Sequence, residues 1–128
     1  MKIVNLIARI LLGLIFLVFG ADKIVHFIPA QLPTGLAGEF VSVMMASHYL
    51  VFVGLCEACS GLLLLSGRYI PLALVILGPV IVNILLVGLL LTRTALPSGI
   101  VVALLWCLVY RRVRSAFRGI YQQRVAEP

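Results

Sequence analysis

The sequence predicts an all-α integral membrane protein: a four-helix bundle with a short extra helix in the first outer loop. Three observations carry that reading. Apolar and aromatic residues make up 63% of the 128 positions, against roughly 45–50% in a soluble domain. The chain has 10 Lys+Arg and 4 Asp+Glu, too few charges to cover a soluble globule of this length. Four stretches reach or approach the roughly 18 apolar residues that cross a bilayer. This composition excludes disorder, a secreted disulfide scaffold and an ordinary soluble enzyme.

The first span is expected at about residues 3–24, with Arg9 inside it. It follows a short basic start, but its apolar core is longer than the roughly 7–15 residues of a signal peptide and no A-x-A-like site follows, so it is expected to be retained. The link 21–48 is broken at Pro29 and Pro33. Beyond them Ala37, Phe40, Val43 and Met44 share a helical face, which is read either as a short helix at the membrane surface or as a packed loop. The second span, 49–66, contains Glu57. Gly67-Arg68-Tyr69 is a tight turn before Pro71, which suits the first turn of the third span, 70–91. Thr92–Pro97 is a second short link, with Ser98 as the expected N-cap of the fourth span, 98–112. That span is short before Arg111, but arginine stems snorkel and lengthen it. In the basic tail 113–128, Val113, Phe117, Ile120 and Tyr121 fall at helical spacing, a continuation of the fourth helix bent along the inner surface. The whole chain, 1–128, is read as one transmembrane domain.

Basic residues are distributed unevenly. With four spans, Lys2, Arg9, Arg68, Arg111, Arg112, Arg114, Arg118 and Arg124 fall on one side, and Lys23 and Arg93 on the other. The positive-inside rule then places both termini in the cytoplasm. Five of the basic residues lie within Arg111–Arg124, directly after an apolar stretch, as in a segment that contacts anionic lipid headgroups. Nucleic acid is not an expected partner.

Ionisable groups inside spans are costly and point to function. Residues 49–66 include nine Leu, Val or Phe, each favouring insertion by roughly 0.3–0.6 kcal/mol, whereas a central carboxylate such as Glu57 costs about 2.5–3.5 kcal/mol. Depth counting from the 67–69 turn sets Glu57 level with Asn83, and counting from Ser98 adds Trp106, whose mid-span indole N–H needs an acceptor. A polar layer of Glu57, Asn83 and Trp106 is therefore expected. It is read either as a structural clamp between helices or as a ligand or proton site. Arg9, Gly13, Phe16, Gly20 and Lys23 form one stripe on the first helix, where the glycines allow close approach of a neighbour. Arg9 and Lys23 either snorkel to the two surfaces, or Arg9 reaches inward toward an acidic partner or ligand while Lys23 guards the outer mouth beside Asp22 and His26. Pro79 is expected to kink the third helix one turn before Asn83.

Cys56 and Cys59 form a C-x-x-C, a pattern that signals thiol–disulfide chemistry. On a helix they share a face turned well away from Glu57, so with Glu57 inward they are expected at an edge or toward lipid, as small residues filling a contact. His26 and His48 lie nearer the outer surface than the thiols, and no metal set is expected.

The run Arg9-Ile-Leu-Leu-Gly-Leu-Ile-Phe-Leu-Val-Phe-Gly-Ala-Asp-Lys23 resembles the opening helix of the DoxX family. So do Glu57 with Gly61-Leu-Leu-Leu-Leu-Ser-Gly-Arg68, Pro71-Leu-Ala-Leu, and Pro79-Val-Ile-Val-Asn83-Ile-Leu-Leu86. The resemblance implies a small four-helix inner-membrane protein. Relatives of that kind include a subunit associated with thiosulfate:quinone oxidoreductase, membrane partners in thiol and oxidative-stress complexes, and more distantly proteins that assist disulfide handling or protein maturation. Many members have no assigned activity. After Asn83-Ile-Leu-Leu the family often carries an aromatic and a histidine, where this chain has Val87-Gly88, so a site needing that histidine is lost here. The C-x-x-C is not a family hallmark.

Three functions compete. One is a redox-associated membrane subunit that binds quinone or a small sulfur compound near Glu57, Asn83, Arg9, Trp106 and Lys23. Another is a non-catalytic assembly factor or partner-binding subunit, docking through the outer link or the basic tail, in a homo- or hetero-oligomer. The third is a thiol–disulfide enzyme using Cys56 and Cys59. No haem, flavin or nucleotide motif is present, so a redox centre would come from a partner subunit or a diffusible carrier.

Overall fold

The computed structural model describes residues 2–26 and 34–124. The expected breaks at Pro29 and Pro33 lie outside them. The helices are α1 (Lys2–Val25), α2 (Gly35–Ala46), α3 (Tyr49–Ser66), α4 (Ile70–Leu90) and α5 (Leu96–Val113), with 3-10 turns at Arg93–Ala95 and Arg114–Tyr121. No strand occurs among the described residues. Four helical stretches, α1, α3, α4 and the one containing α5, are long and apolar enough to cross a membrane. Their outward faces expose Leu11 and Val18, Leu55 and Leu62, Val75 and Val82, Ile100 and Leu104. A soluble protein rarely leaves so much apolar surface open, and here it is the surface that acyl chains cover.

Around the bundle α1 packs on α3, α3 on α4, α4 on α5 and α5 on α1, each neighbour running antiparallel. The core is Leu12 and Phe16 from α1, Leu64 from α3, Leu74, Leu77 and Ile81 from α4, and Val102 and Val109 from α5. The α1–α3 contact is the most extensive, and glycine explains it. Gly13 lies against the Gly61 carbonyl, and a Cβ on Gly20 would come 2.7 Å from the Gly54 carbonyl oxygen. The relation is reciprocal: a Cβ on Gly54 would meet the Gly20 oxygen at 2.7 Å, and one on Gly61 the Gly13 oxygen at 2.6 Å. Both pairs are spaced seven residues apart, so two turns of backbone meet with no side chain between them.

Gly67, at φ 75°, ends α3 by giving its N–H to the Leu63 and Leu64 carbonyls. Tyr69, at φ 54°, then turns the chain into α4, whose first turn holds Pro71. His48, at φ 62°, makes the corner between α2 and α3, so that α2 folds back along α3. The link 34–46 is thus a helix rather than a plain loop, with Ala37, Gly38 and Met44 buried.

Two local expectations are corrected. Helix α5 begins at Leu96 with Pro97 in its first turn, and Ser98 is already helical, its hydroxyl donating to the Ala95 carbonyl. Proline is pre-set for a first helical turn and needs no N–H there, which moves the start ahead of the serine. Beyond Val113 the chain tightens into a 3-10 helix instead of extending α5. Phe117 is buried and packs on Tyr110, whose hydroxyl is hydrogen-bonded to that of Tyr121, while Tyr110 stacks on Trp106. Ring contacts hold the tail against α5 and leave Ile120 exposed.

If glycine contact holds α1 to α3, Gly20→Ala is expected to cost about 1–3 kcal/mol, as overpacking does, seen as a lower melting temperature in detergent. Gly78→Ala, whose Cβ would meet nothing within 4 Å, is expected to leave the melting temperature unchanged or raise it. Equal losses in the two variants would disprove the contact's role.

Candidate functional site

The glycine register sets the site. With Gly20 against Gly54, the Lys23 Cβ lies beside Gly54, one turn from Glu57 along α3. Side chains lean toward the N-terminus of their own helix, and in an antiparallel pair that brings two residues one turn apart toward each other. Lys23 Nζ donates to Glu57 Oε2 at 2.8 Å. The Glu57 side chain is 2% exposed and that of Lys23 27%, so the carboxylate is sealed while the ammonium keeps an edge on the surroundings.

The pair lines a cavity of about 1000 Å³ bounded by α2, α3, α4 and the 92–95 link. Phe40 and Met44 of α2, Phe52 and Val53 of α3 and Ile76 and Val80 of α4 supply apolar wall. Asn83 lies on the same wall, exposed. Pro79 also lines the cavity, and having no N–H it leaves the Val75 carbonyl without its usual partner. Cavities of this size, largely apolar with few polar groups, are the usual form of small-molecule sites.

The sequence-derived residues divide into three groups. Glu57, Lys23 and Asn83 come together at the cavity, but the acid pairs with Lys23 and makes no hydrogen bond to the amide. Trp106 lies elsewhere. Its indole N–H donates to the Leu74 carbonyl at 3.0 Å. Depth counting misplaced it because α5 starts early and low: Gly88 meets Leu96, and Gly99 meets Ile84 and Leu85. That register sets Asn83 level with Val101, so Trp106 lies five residues, or roughly 7–8 Å, farther along the axis. Arg9 is at the opposite end of the bundle, its guanidinium against Gly67 and far from Glu57. The polar lining of the cavity is therefore the Lys23–Glu57 pair and Asn83, without Trp106 or Arg9.

The cysteines part company. Cys59 is exposed, but Cys56 is half-buried and lines the cavity with Glu57. This corrects the expectation that both turn away, since α2 extends the cavity around that side of α3. All three thiols are free, and no metal-holding group of His, Cys, Asp and Glu occurs among the described residues. Sequence reasoning passed over two features. Ser60, one turn from Glu57, is fully buried with its hydroxyl unpartnered. The part α2 plays in walling the cavity has no signature in the apolar pattern of residues 35–46.

Lys23→Met strands a sealed carboxylate, which in comparable buried pairs costs about 3–5 kcal/mol, whereas replacing both ends, Lys23→Met with Glu57→Leu, is expected to recover most of that loss. Unfolding the single and double variants as a mutant cycle measures the coupling. Strictly additive effects would show that the two residues do not act together.

The DoxX family model matches residues 4–89, from α1 through nearly all of α4. No curated relative and no solved structure matches the chain.

Proposed function

The chain belongs to the DoxX family of membrane proteins, and from that premise we propose that it is a redox-associated membrane subunit whose cavity holds a quinone-type headgroup, a ring bearing carbonyl or hydroxyl oxygens on a lipid-soluble tail. The observation that carries this reading is the Lys23–Glu57 pair set into the wall of a largely apolar cavity of about 1000 Å³. Apolar walls from α2, α3 and α4 suit a ring and its tail. The ammonium donates to a carbonyl oxygen, the Asn83 amide can donate or accept, and the carboxylate accepts a hydrogen bond from a hydroxyl. Charge-assisted bonds of this kind are the stronger ones. Electrons would pass to or from a partner redox subunit. The membrane is the bacterial inner membrane, with the arginine-rich end cytoplasmic, a placement supported by the eight-to-two division of basic residues.

A second reading has its own support. Helix α2 leaves Leu36, Val43 and Met45 exposed, and the family histidine after Asn83-Ile-Leu-Leu is replaced by Val87-Gly88. Both features suit a non-catalytic subunit that docks a partner through α2.

Protein purified in mild detergent is expected to retain quinone detectable by solvent extraction and chromatography. Glu57→Gln is expected to reduce that amount roughly tenfold, about the worth of one hydrogen bond to a charged group. Added fully substituted quinone should also slow alkylation of Cys56 by a lipophilic maleimide and leave Cys59 unaffected. Absence of retained quinone, with a fixed partner co-purifying whether or not Glu57 is intact, would establish the second reading instead.

A further inference from the structure

The opposite end of the bundle carries charges that the cavity does not use. Lys2, Asn5, Arg9 and Arg112 line a hollow of about 240 Å³ between α1, α4 and α5, with Leu6 and Val109 among its apolar walls. A second hollow of about 200 Å³ shares Asn5 and Arg112 and adds Arg111. Four cations thus converge on one seam. The acids among the described residues are Asp22, Glu39 and Glu57, and each belongs to the Lys23 half of the molecule or, for Glu57, is paired there. No ion pair reaches Lys2, Arg9, Arg111 or Arg112 among the described residues. Arg9 is half-buried, seven residues and so roughly 10 Å along α1 from Lys2. Its guanidinium lies over Gly67, where the end of α3 presents about half a negative charge. That offsets Arg9 in part and leaves the other cations unbalanced.

We infer that this seam is a site for the phosphate of one anionic phospholipid, held by Arg9, Arg112 and Lys2 with the Asn5 amide. A phosphate offers oxygens for several charge-assisted bonds at once, and guanidinium groups match its geometry. The apolar walls favour a lipid over a free ion, because the same hollow that gathers the cations also takes the first segments of an acyl chain. Basic pockets between spanning helices are a recurrent form of headgroup site.

The chain's single tryptophan reports on the seam, since Trp106 lies one turn before Val109 on α5. Full-length protein is placed in phosphatidylcholine vesicles containing a small fraction of lipid with brominated acyl chains, which quench indole emission on contact. Brominated phosphatidylglycerol is expected to quench Trp106 saturably, and brominated phosphatidylcholine only in proportion to its abundance. Each of Arg9→Gln and Arg112→Gln is expected to weaken the phosphatidylglycerol effect roughly fivefold. Arg112→Lys, which keeps the charge, should weaken it less. Arg118→Gln with Arg124→Gln, in the tail, should not change it. Equal quenching by the two brominated lipids overturns the site, as does loss of the preference only when the tail is altered. Inorganic phosphate that displaces the lipid where chloride of equal ionic strength does not would show the seam to be made for the free ion, and would overturn the lipid assignment.

Discussion

Everything at the Lys23 end of this molecule depends on two helix backbones being allowed to touch. Gly13 against Gly61 and Gly20 against Gly54 let the backbones of α1 and α3 come into direct contact at two points, and in a bilayer such close packing is a main source of helix attraction. Lipid tails are as apolar as leucine, so burying leucine there gains little. Close van der Waals contact is what distinguishes a helix neighbour from a lipid neighbour. The contact also fixes register. The Lys23 Cβ is held beside Gly54, one turn from Glu57, and antiparallel lean closes the remaining gap to a 2.8 Å hydrogen bond. A single slip of one residue along the glycine line would rotate Lys23 off the facing stripe and leave the carboxylate unpaired.

Much of this was legible in the sequence, and the unread part has a definite physical cause. The four spans, the tight turn at 67–69 and the inward position of Glu57 follow from apolar length, Gly and Pro chemistry and the cost of a charge in hydrocarbon. The stripe Arg9, Gly13, Phe16, Gly20, Lys23 was also visible. Its partner face on α3, Gly54, Glu57 and Gly61, was equally visible, but nothing in one helix states the register of the next. Depth counted from the ends of spans assumes that all helices begin at one plane. Leu96 begins α5 opposite Gly88 rather than opposite the end of α4, and this displaced Trp106 from the layer it was assigned to. Counting from paired glycines instead of from span ends would have joined Lys23 to Glu57. The cavity was not legible by any count, because it exists only once α2 folds back at His48.

Charge is sorted along the bundle axis in a way that composition conceals. The net excess of basic residues lies almost entirely at the arginine end, where the described residues offer no carboxylate. The Lys23–Glu57 ion pair lies at the other. An unpaired guanidinium near a headgroup layer costs little, since phosphate and water are within reach of its long stem. A carboxylate at the depth of Glu57 has no such recourse and must be paired, protonated or bonded. The two ends therefore obey the same rule with different counter-charges, an internal ammonium in one case and, on the inference above, a phosphate in the other.

The pair is a poor candidate for a mere fastener. Desolvating two charges consumes most of what their attraction returns, and apolar side chains of like volume often hold a protein together as well or better. The glycine contact already holds α1 to α3 without it. A fastener would also gain by being closed on every side, whereas Lys23 is partly exposed and both residues border the open volume that Asn83 also lines. What a partly buried ammonium–carboxylate pair supplies, and apolar packing cannot, is a donor and an acceptor held in fixed orientation in a largely apolar wall, where hydrogen bonds to an incoming polar group are stronger than in water. Such an arrangement would suit a small group with both hydrogen-bonding senses, presented at one edge of an apolar body. On the function proposed above, that role, more than stability, would account for a carboxylate halfway along a membrane-spanning helix.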